Sequence, residues 1–149
     1  MNKTVWKVGC RWSDYGNPDT TIADSVFFKK CVAFANTHAM LDARAGHLIA
    51  LADGYNVIAI GEIVSAPKRI EELGIIFTDE AERTQFFNDE MLPYEANDNA
   101  SNVCGCIVHY YRLEKNECFQ YCKRGRFFHA TGIEKHINEL FDKIIQDQR

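Results

Sequence analysis

The stretch AGHLIALADGYNVIAIGEIVSAP, residues 45–67, decides the fold prediction. It contains two apolar runs, residues 48–52 and 57–64, on either side of Asp53-Gly54. An Asp-Gly pair favours the positive φ angles of a tight turn, so the stretch predicts a β-hairpin. Both runs are apolar at nearly every position, which is typical of strands buried on both faces. We therefore expect a sheet that closes on itself and carries helices outside.

The segments around the hairpin predict further strands and helices. Residues 4–12 alternate apolar with polar side chains and predict a first strand, with Trp6, Val8 and Cys10 on one face. Gly61, inside the second apolar run, indicates a bulge or a close backbone approach. The remaining predictions are a helix from Thr21, a strand at 32–35, a helix at 78–91, a loop at 95–102, a second hairpin from strands 103–113 and 117–121, a strand at 126–130, and a C-terminal amphipathic helix with a capping box of Thr131 and Glu134.

No repeat or linker divides the chain, so we predict one domain over residues 1–149. The fold class is α+β: a small mixed β-barrel flanked by helices, with the amphipathic helix at the C-terminal end. An apolar share of 46% and a charged share of 26% agree with one packed globular core.

Charge and hydropathy limit the function classes. A net charge of -4 argues against sequence-independent coating of a phosphate backbone, so nucleic acid would have to bind at a local patch. The chain has no apolar run of the roughly 18 residues that a bilayer span needs, and its first residues lack the apolar core of a secretory signal. We expect a cytoplasmic protein without a membrane partner.

The six cysteines are expected to be reduced, because a cytoplasmic chain of this size needs no disulfide framework to fold. Cys104, Cys106, Cys118 and Cys122 would form a zinc site only if neighbouring strands brought all four together, and neither pair has Cys-x-x-Cys spacing. No P-loop, dinucleotide fingerprint, serine-hydrolase elbow or zinc-protease motif occurs in the sequence. We predict no metal and no cofactor.

The central hairpin resembles that of PUA-like domains, particularly the EVE-type and restriction-associated relatives. The resemblance is carried by GHLIALADG at 46–54 and VIAIGEI at 57–63, and the segment WKVGCRW at 6–12 is similar to the family's first strand. It covers the first half of the chain, and His47 stands where the family more often has an acidic residue. The resemblance implies a β-barrel with a pocket for a nucleobase, often a modified one, that is flipped or single-stranded.

The end of the first strand supplies the predicted ligand-binding residues. A base pocket needs an aromatic face for stacking and directed polar groups for the base edge. In Arg11, Trp12, Ser13, Asp14 and Tyr15 these types follow one another. We predict that Trp12 stacks on the base, that Ser13 and Asp14 meet its exocyclic groups, and that Arg11 holds a phosphate. In the alternative interpretation Trp12 belongs to the core and Asp14 caps a turn.

Lys123, Arg124 and Arg126 form the densest basic cluster and are the predicted phosphate-binding residues. The alternative is a solvated turn whose charges keep an edge strand from pairing with another molecule. His129 is predicted to line the same pocket as the ligand-binding residues, or else to be a core histidine.

These features together predict a binding module that recognises a nucleobase, in particular a modified one, in DNA or RNA through an aromatic pocket. Two alternatives stay open. One is a small hydrolase that acts on a modified nucleoside or a related small molecule, with Lys7, Lys29 or Lys30 as general base. The other is a protein-interaction domain that forms a homodimer through apolar surface on the C-terminal helix.

Overall fold

A computed structural model describes residues 2–11, 23–69, 72, 103–123, 125 and 127–148. Its elements are β1 (Val5–Gly9), a wide π-type helical turn (Ala23–Phe28), β2 (Val32–Asn36), a 3-10 helix (His38–Asp42), β3 (Leu48–Asp53), β4 (Asn56–Ile63), β5 (Lys68–Arg69), β6 (Val103–Arg112), β7 (Phe119–Gln120), β8 (Phe127–His129) and α1 (Glu134–Gln146). The helix and loop predicted at 78–91 and 95–102 lie outside the described residues. None of the described helices is both long and apolar enough to cross a membrane.

β3 and β4 form the predicted hairpin. The two strands pair antiparallel, and Gly54 has a φ of +66°, as the turn requires. The register shifts so that Ile58 has no partner in β3, and both Ile58 and Ala59 then face the same core. The bulge thus lies at Ile58, whereas Gly61 marks a close approach: a Cβ there would lie 2.4 Å from Cγ1 of Val108.

The sheet curls into a half-barrel. Its strand order is β2-β6-β4-β3-β1-β8, with β5 beside β6 and β7 beside β4. β1 runs parallel to β3, and the other pairs are antiparallel. β1 and β2 contact each other although three strands separate them in the sheet, which requires strong curvature. The mixed curled sheet and the C-terminal helix agree with the predicted α+β class.

Each face of the sheet borders its own core. Successive residues of β3 alternate: Leu48 and Ala50 enter an outer core, and Ile49 and Leu51 enter an inner core. The inner core fills the half-barrel, and α1 covers the outer one with Ile137, Phe141 and Ile144. This two-sided burial is the physical reason for the unbroken apolar runs.

The prediction of a second hairpin is wrong. β7 pairs with β4 rather than with β6, and both strands run antiparallel to β4. β6 and β7 therefore lie end to end along β4, and residues 113–118 form a loop between them. The loop lies opposite the bulge, where Leu113 donates its N–H to the carbonyl of Ile58 at 2.9 Å.

The amphipathic helix is present, but its predicted capping box is wrong. The Thr131 hydroxyl donates to the carbonyl of His129, and the Glu134 carboxylate accepts from the N–H of Gly132 at 3.0 Å. Gly132 has a φ of +92°, so the chain turns there and the helix starts later than the capping box requires. The buried Asn138 amide fixes α1 to the sheet by bonding both the N–H and the C=O of Lys3.

None of the six cysteines forms a disulfide bond. Cys10, Cys104 and Cys106 are buried in the inner core, and burial raises the pKa of the Cys106 thiol to about 12. Cys118 instead packs against the outer core. Within the part of the chain that the structure describes, no group of three or more His, Cys, Asp or Glu side chains is arranged to hold a metal.

We predict that Gly61→Ala lowers the free energy of unfolding by about 1–3 kcal/mol, because Val108 and Tyr110 occupy the space that its methyl group would need. Gly9→Ala is the matched control. The closest atom to a Cβ there is Nζ of Lys7 at 3.4 Å, so a loss below about 0.5 kcal/mol is expected. Urea unfolding of both variants measures the difference, and equal losses would contradict the close approach.

Candidate ligand site at the mouth of the half-barrel

Three rings from separate parts of the sequence meet at one end of the sheet. Trp6 lies in β1, His47 directly precedes β3, and His129 is the last residue of β8. In the register, Trp6 is directly opposite His129. We call these three residues the Trp–His cluster. Trp6 lies on the inner face of the half-barrel and is only 5% exposed, so the cluster lies over one end of the inner core.

The rings of the cluster form two layers. The Trp6 indole N–H donates to Nδ1 of His47 at 3.0 Å, with 6.3 Å between the ring centroids and an interplanar angle of 28°, so the two rings lie roughly side by side. The His129 ring stacks on the indole with centroids 3.9 Å apart. Phe127 also stacks on Trp6, at 4.8 Å and 15°. The indole is thereby held in one orientation by packing and by its hydrogen bond.

The hydrogen bonds fix the protonation state of His47. Its Nδ1 accepts a second hydrogen bond, from the backbone N–H of Arg44 at 3.1 Å. Indole and backbone N–H groups only donate, so this nitrogen carries no hydrogen, the ring is neutral, and Nε2 holds the proton. Burial lowers the pKa of His47, and the positive charges of Arg44, His129 and Lys3 lower it further.

Polar atoms without a protein partner surround this aromatic surface. Among the described residues, neither Nε2 of His47 nor the ring nitrogens of His129 have a hydrogen-bond partner. His129 is exposed and His47 is half-buried, so both can reach a ligand. A flat aromatic face beside available polar groups is the arrangement by which proteins hold planar heterocycles.

The charge around the cluster is positive. Arg44 is exposed, and its guanidinium group donates to the backbone carbonyls of Leu41 and Ala43 at the end of the 3-10 helix. Lys3 lies 3.5 Å from a carboxylate oxygen of Glu62. The charges of Arg44 and Lys3 both act on His47, and Lys3 is in turn paired with Glu62, in a protein whose net charge is -4. Such a local patch favours an anionic group such as a phosphate.

The predicted site residues do not all lie together. Arg11 forms an ion pair with Asp53, 2.5 Å from Nε to Oδ1, beside the β3–β4 turn and thus at the other end of β1 from His129. The Lys123 ammonium lies 3.5 Å from the carbonyl of Thr131, just after β8, and so on the side of His129. The other predicted residues, Trp12, Ser13, Asp14, Tyr15, Arg124 and Arg126, lie outside the described residues.

Sequence reasoning missed two members of the cluster. Trp6 was assigned to the buried face of the first strand, which is correct but gave no reason to expect a ligand. For His47 the one available signal is its difference from the PUA-like pattern that the hairpin resembles, in which an acidic residue is more frequent at this position.

Lys7 is a second unusual polar residue, on the opposite face of β1. It is 5% exposed, and its ammonium donates to the carbonyl of Gly125 at 2.6 Å. The ring of Phe128 lies 5.5 Å from the same nitrogen. Burial lowers the pKa of Lys7. Because neighbouring residues of a strand point to opposite faces, this amine and the indole of Trp6 belong to different environments.

An open groove of about 430 Å³ lies between the wide helical turn and β6. Two of its polar side chains are already engaged, and a third, His109, stacks on Tyr111 with ring centroids 4.6 Å apart. The Tyr110 hydroxyl donates to the carbonyl of Val32, and the Arg112 guanidinium lies 4.2 Å from the Phe28 ring centre and 3.1 Å from a carboxylate oxygen of Asp24. The Trp–His cluster is therefore the stronger candidate for ligand recognition.

We predict that the stability of the protein falls on acidification through His47. The ring has an ordinary pKa of 6.5 in the unfolded chain and a lower one when folded. The unfolded chain therefore takes up the proton first, so the stabilisation is complete above about pH 6.5 and is lost as the pH falls through the folded pKa. His47→Asn keeps an acceptor near the position of Nδ1 but does not titrate. Between about pH 7.5 and 5.5, urea unfolding should show a larger stability loss in the wild type than in the variant; equal losses would contradict the assignment.

Compared with known proteins, the chain matches no protein family, no curated protein and no solved structure. The similarity to PUA-like domains thus consists of the sequence pattern of the hairpin and the first strand.

Proposed function

We propose that this chain is a PUA-like binding module that holds a nucleobase, in particular a modified one, from DNA or RNA. The observation that supports this most is the exposed His129 ring stacked on the fixed indole of Trp6, with unpartnered ring nitrogens on both histidines. A base would stack on the outer face of His129, and the ring nitrogens, which bond in their own ring planes, would meet sugar or phosphate groups beside the stack.

Such a contact supplies part of the binding energy that a base-binding module needs. Stacking of one base on an aromatic side chain contributes about 1–3 kcal/mol. His129 is supported from behind by Trp6, which in turn packs on Phe127, so little side-chain entropy remains to be lost when a base binds. A preformed stacking surface therefore binds a base more tightly than a loose loop of the same composition would.

Phosphate contacts would come from the positive groups near the cluster. Arg44 lies beside His47, and Lys123 lies beside the end of β8. Arg124 and Arg126 are neighbours of Lys123 in the sequence and stay predicted phosphate contacts. A few local contacts of this kind suit a protein that is acidic overall, because they give binding a modest dependence on salt.

The hydrolase alternative has one observation in its favour. Lys7 is buried and its pKa is lowered, which is a property of lysines that act as general bases. Its amine, however, is directed at the carbonyl of Gly125 and lies on the other face of β1 from the Trp–His cluster. Turnover of a modified nucleoside that is abolished by Lys7→Met would favour this alternative.

The protein-interaction alternative finds little support on α1. Within the predicted apolar stripe of the helix, Ile137, Phe141 and Ile144 are buried, and Ile145 is the large residue that is clearly exposed, at 46%. A homodimer through this helix would have little apolar surface to bury.

We predict that tryptophan fluorescence reports binding of the proposed ligand. Trp12→Phe leaves Trp6 as the sole indole, because the chain has two tryptophans. Titration with short single-stranded oligonucleotides, with and without modified bases, should quench this emission. In the same background, His129→Ala should weaken binding roughly 5- to 100-fold, which is the loss of one stacking contact.

The matched control is His109→Ala. His109 is also exposed and stacks on an aromatic residue, with its centroid 4.6 Å from that of Tyr111, but it lies on β6. Binding by this variant should equal that of the parent. Absence of quenching with every oligonucleotide, or equal losses in both histidine variants, would refute the proposed function.

A further inference from the structure

β6 exchanges one partner for another along its length. Residues 103–107 pair with β2, and residues 108–112 pair with β4. β2 begins at Val32, opposite Ile107, so it does not reach the second half of β6. Within the part of the chain that the structure describes, no strand pairs with the edge of residues 109–112 that faces away from β4. This half of β6 is therefore an edge strand, which can pair with another chain.

Hydrogen bonds at both ends of this half show which of its backbone groups face β4. The N–H of Leu113 donates to the carbonyl of Ile58 at 2.9 Å. At the other end, the carbonyl of Ile107 accepts from the N–H of Val64, just after β4, at 2.8 Å. In an antiparallel pair, residues alternate between facing the partner strand and facing away from it. The odd-numbered residues from 107 to 113 are thus the ones that face β4.

The even-numbered residues face the open edge. The N–H of Val108 donates to the carbonyl of Cys31 at 2.9 Å, where the line of β2 ends. The backbone N–H and C=O groups of the next two, Tyr110 and Arg112, have no hydrogen-bond partner among the described residues. Two donors and two acceptors, spaced as in a strand, are therefore available along this edge.

The open groove of about 430 Å³ lies along the same edge. Its lining includes four consecutive residues of β6, 107–110. Val108 and Tyr110 pack on the inner core, whereas His109 between them is exposed on the outer side. A cavity over one face of a strand would contact alternate residues only, so this groove follows the strand edge. Phe28, whose ring lies 5.1 Å from that of Tyr110, forms one of its walls.

We propose that an extended acidic segment of a partner protein binds in this groove as an added strand and bonds to the backbone of Tyr110 and Arg112. In this mode of recognition, main-chain hydrogen bonds supply affinity, and the positions of alternate side chains supply specificity. Because Phe28 lines the groove beside the strand, the edge is recessed. A single extended chain fits such a recess, whereas a second copy would bring the rest of its sheet against the turn Ala23–Phe28.

The lining determines the chemistry of the bound segment. An added strand shares both faces of β6, so its side chains alternate between the outer and the inner side of the sheet. On the outer side they meet Ile107 and Val64, and Val64 is 59% exposed. On the inner side they meet the guanidinium group of Arg112, which is exposed and paired with Asp24. Lys29, between the turn and β2, adds an exposed cation. The segment therefore alternates apolar with acidic side chains.

A dye-labelled heptapeptide that alternates valine with glutamate is the probe, and fluorescence anisotropy with the full chain measures its binding. The same peptide with lysine in place of glutamate should bind roughly three- to tenfold more weakly, because it opposes the cations beside the groove. Absence of binding by both peptides would refute the proposal.

Backbone methylation of the probe tests the added strand itself. Only alternate residues of a strand direct their N–H groups at the neighbouring strand, and in this peptide they are either the valines or the glutamates. N-methylation of that set should weaken binding roughly 10- to 100-fold, the effect of about two hydrogen bonds, and N-methylation of the other set should change it less than about twofold. Equal losses from both sets would mean that the peptide does not bind as a strand, which overturns the proposal.

Arg112→Glu tests the position of the site. This variant should reverse the preference between the two peptides, because a carboxylate then meets the inner side chains. Lys115→Glu is the matched control: Lys115 is also an exposed cation, but it lies in the loop of residues 113–118, and its variant should keep the preference of the parent. A preference for glutamate that persists in Arg112→Glu would contradict the assignment. Sedimentation of the protein alone should show a monomer; a dimer that the peptide dissociates would assign the edge to a second copy instead.

Discussion

Burial of both faces of β3 is the constraint on which the rest of the structure depends. Its alternate side chains enter two separate cores, and neither can be given up without exposing an apolar strand face. The inner face is covered because the sheet curls until β1 and β2 meet. The outer face is covered by α1. The curvature of the half-barrel thus buries one face of β3, and the packing of α1 buries the other.

The same constraint determines where polar atoms can be placed. Trp6 and Lys7 are adjacent on β1, beside β3, so one side chain enters each core. A buried N–H without an acceptor costs about 1–3 kcal/mol, and each therefore needs a partner. His47 supplies one to the indole, and the carbonyl of Gly125 supplies one to the ammonium. His47 lies at the mouth because the buried indole N–H of Trp6 needs a hydrogen-bond acceptor there.

Local patterns in the sequence predicted most of the elements, and the failures have a common cause. The hairpin at Gly54, the strand at β2 and the stripe on α1 follow from turn chemistry and periodicity, which act over a few residues. The partner of β7 could not be read in this way, because pairing with β4 depends on a bulge at Ile58 that nothing in the local pattern marks. The Trp–His cluster was missed for the same reason: its members are separate in the sequence, and only the parallel pairing of β1 with β3 and the docking of β8 bring them together.

The position of β1 between β3 and β8 has a consequence for how the molecule forms. Lys7 and Gly125 are 118 positions apart, and Lys3 and Asn138 are 135 apart. Contacts of such separation require a long loop to close before they yield any stabilisation. The three rings can meet only when β8 is docked on β1. A chain in which this strand is undocked has no such surface, so recognition would be confined to molecules with β8 in place, and a bound partner would stabilise that docked state.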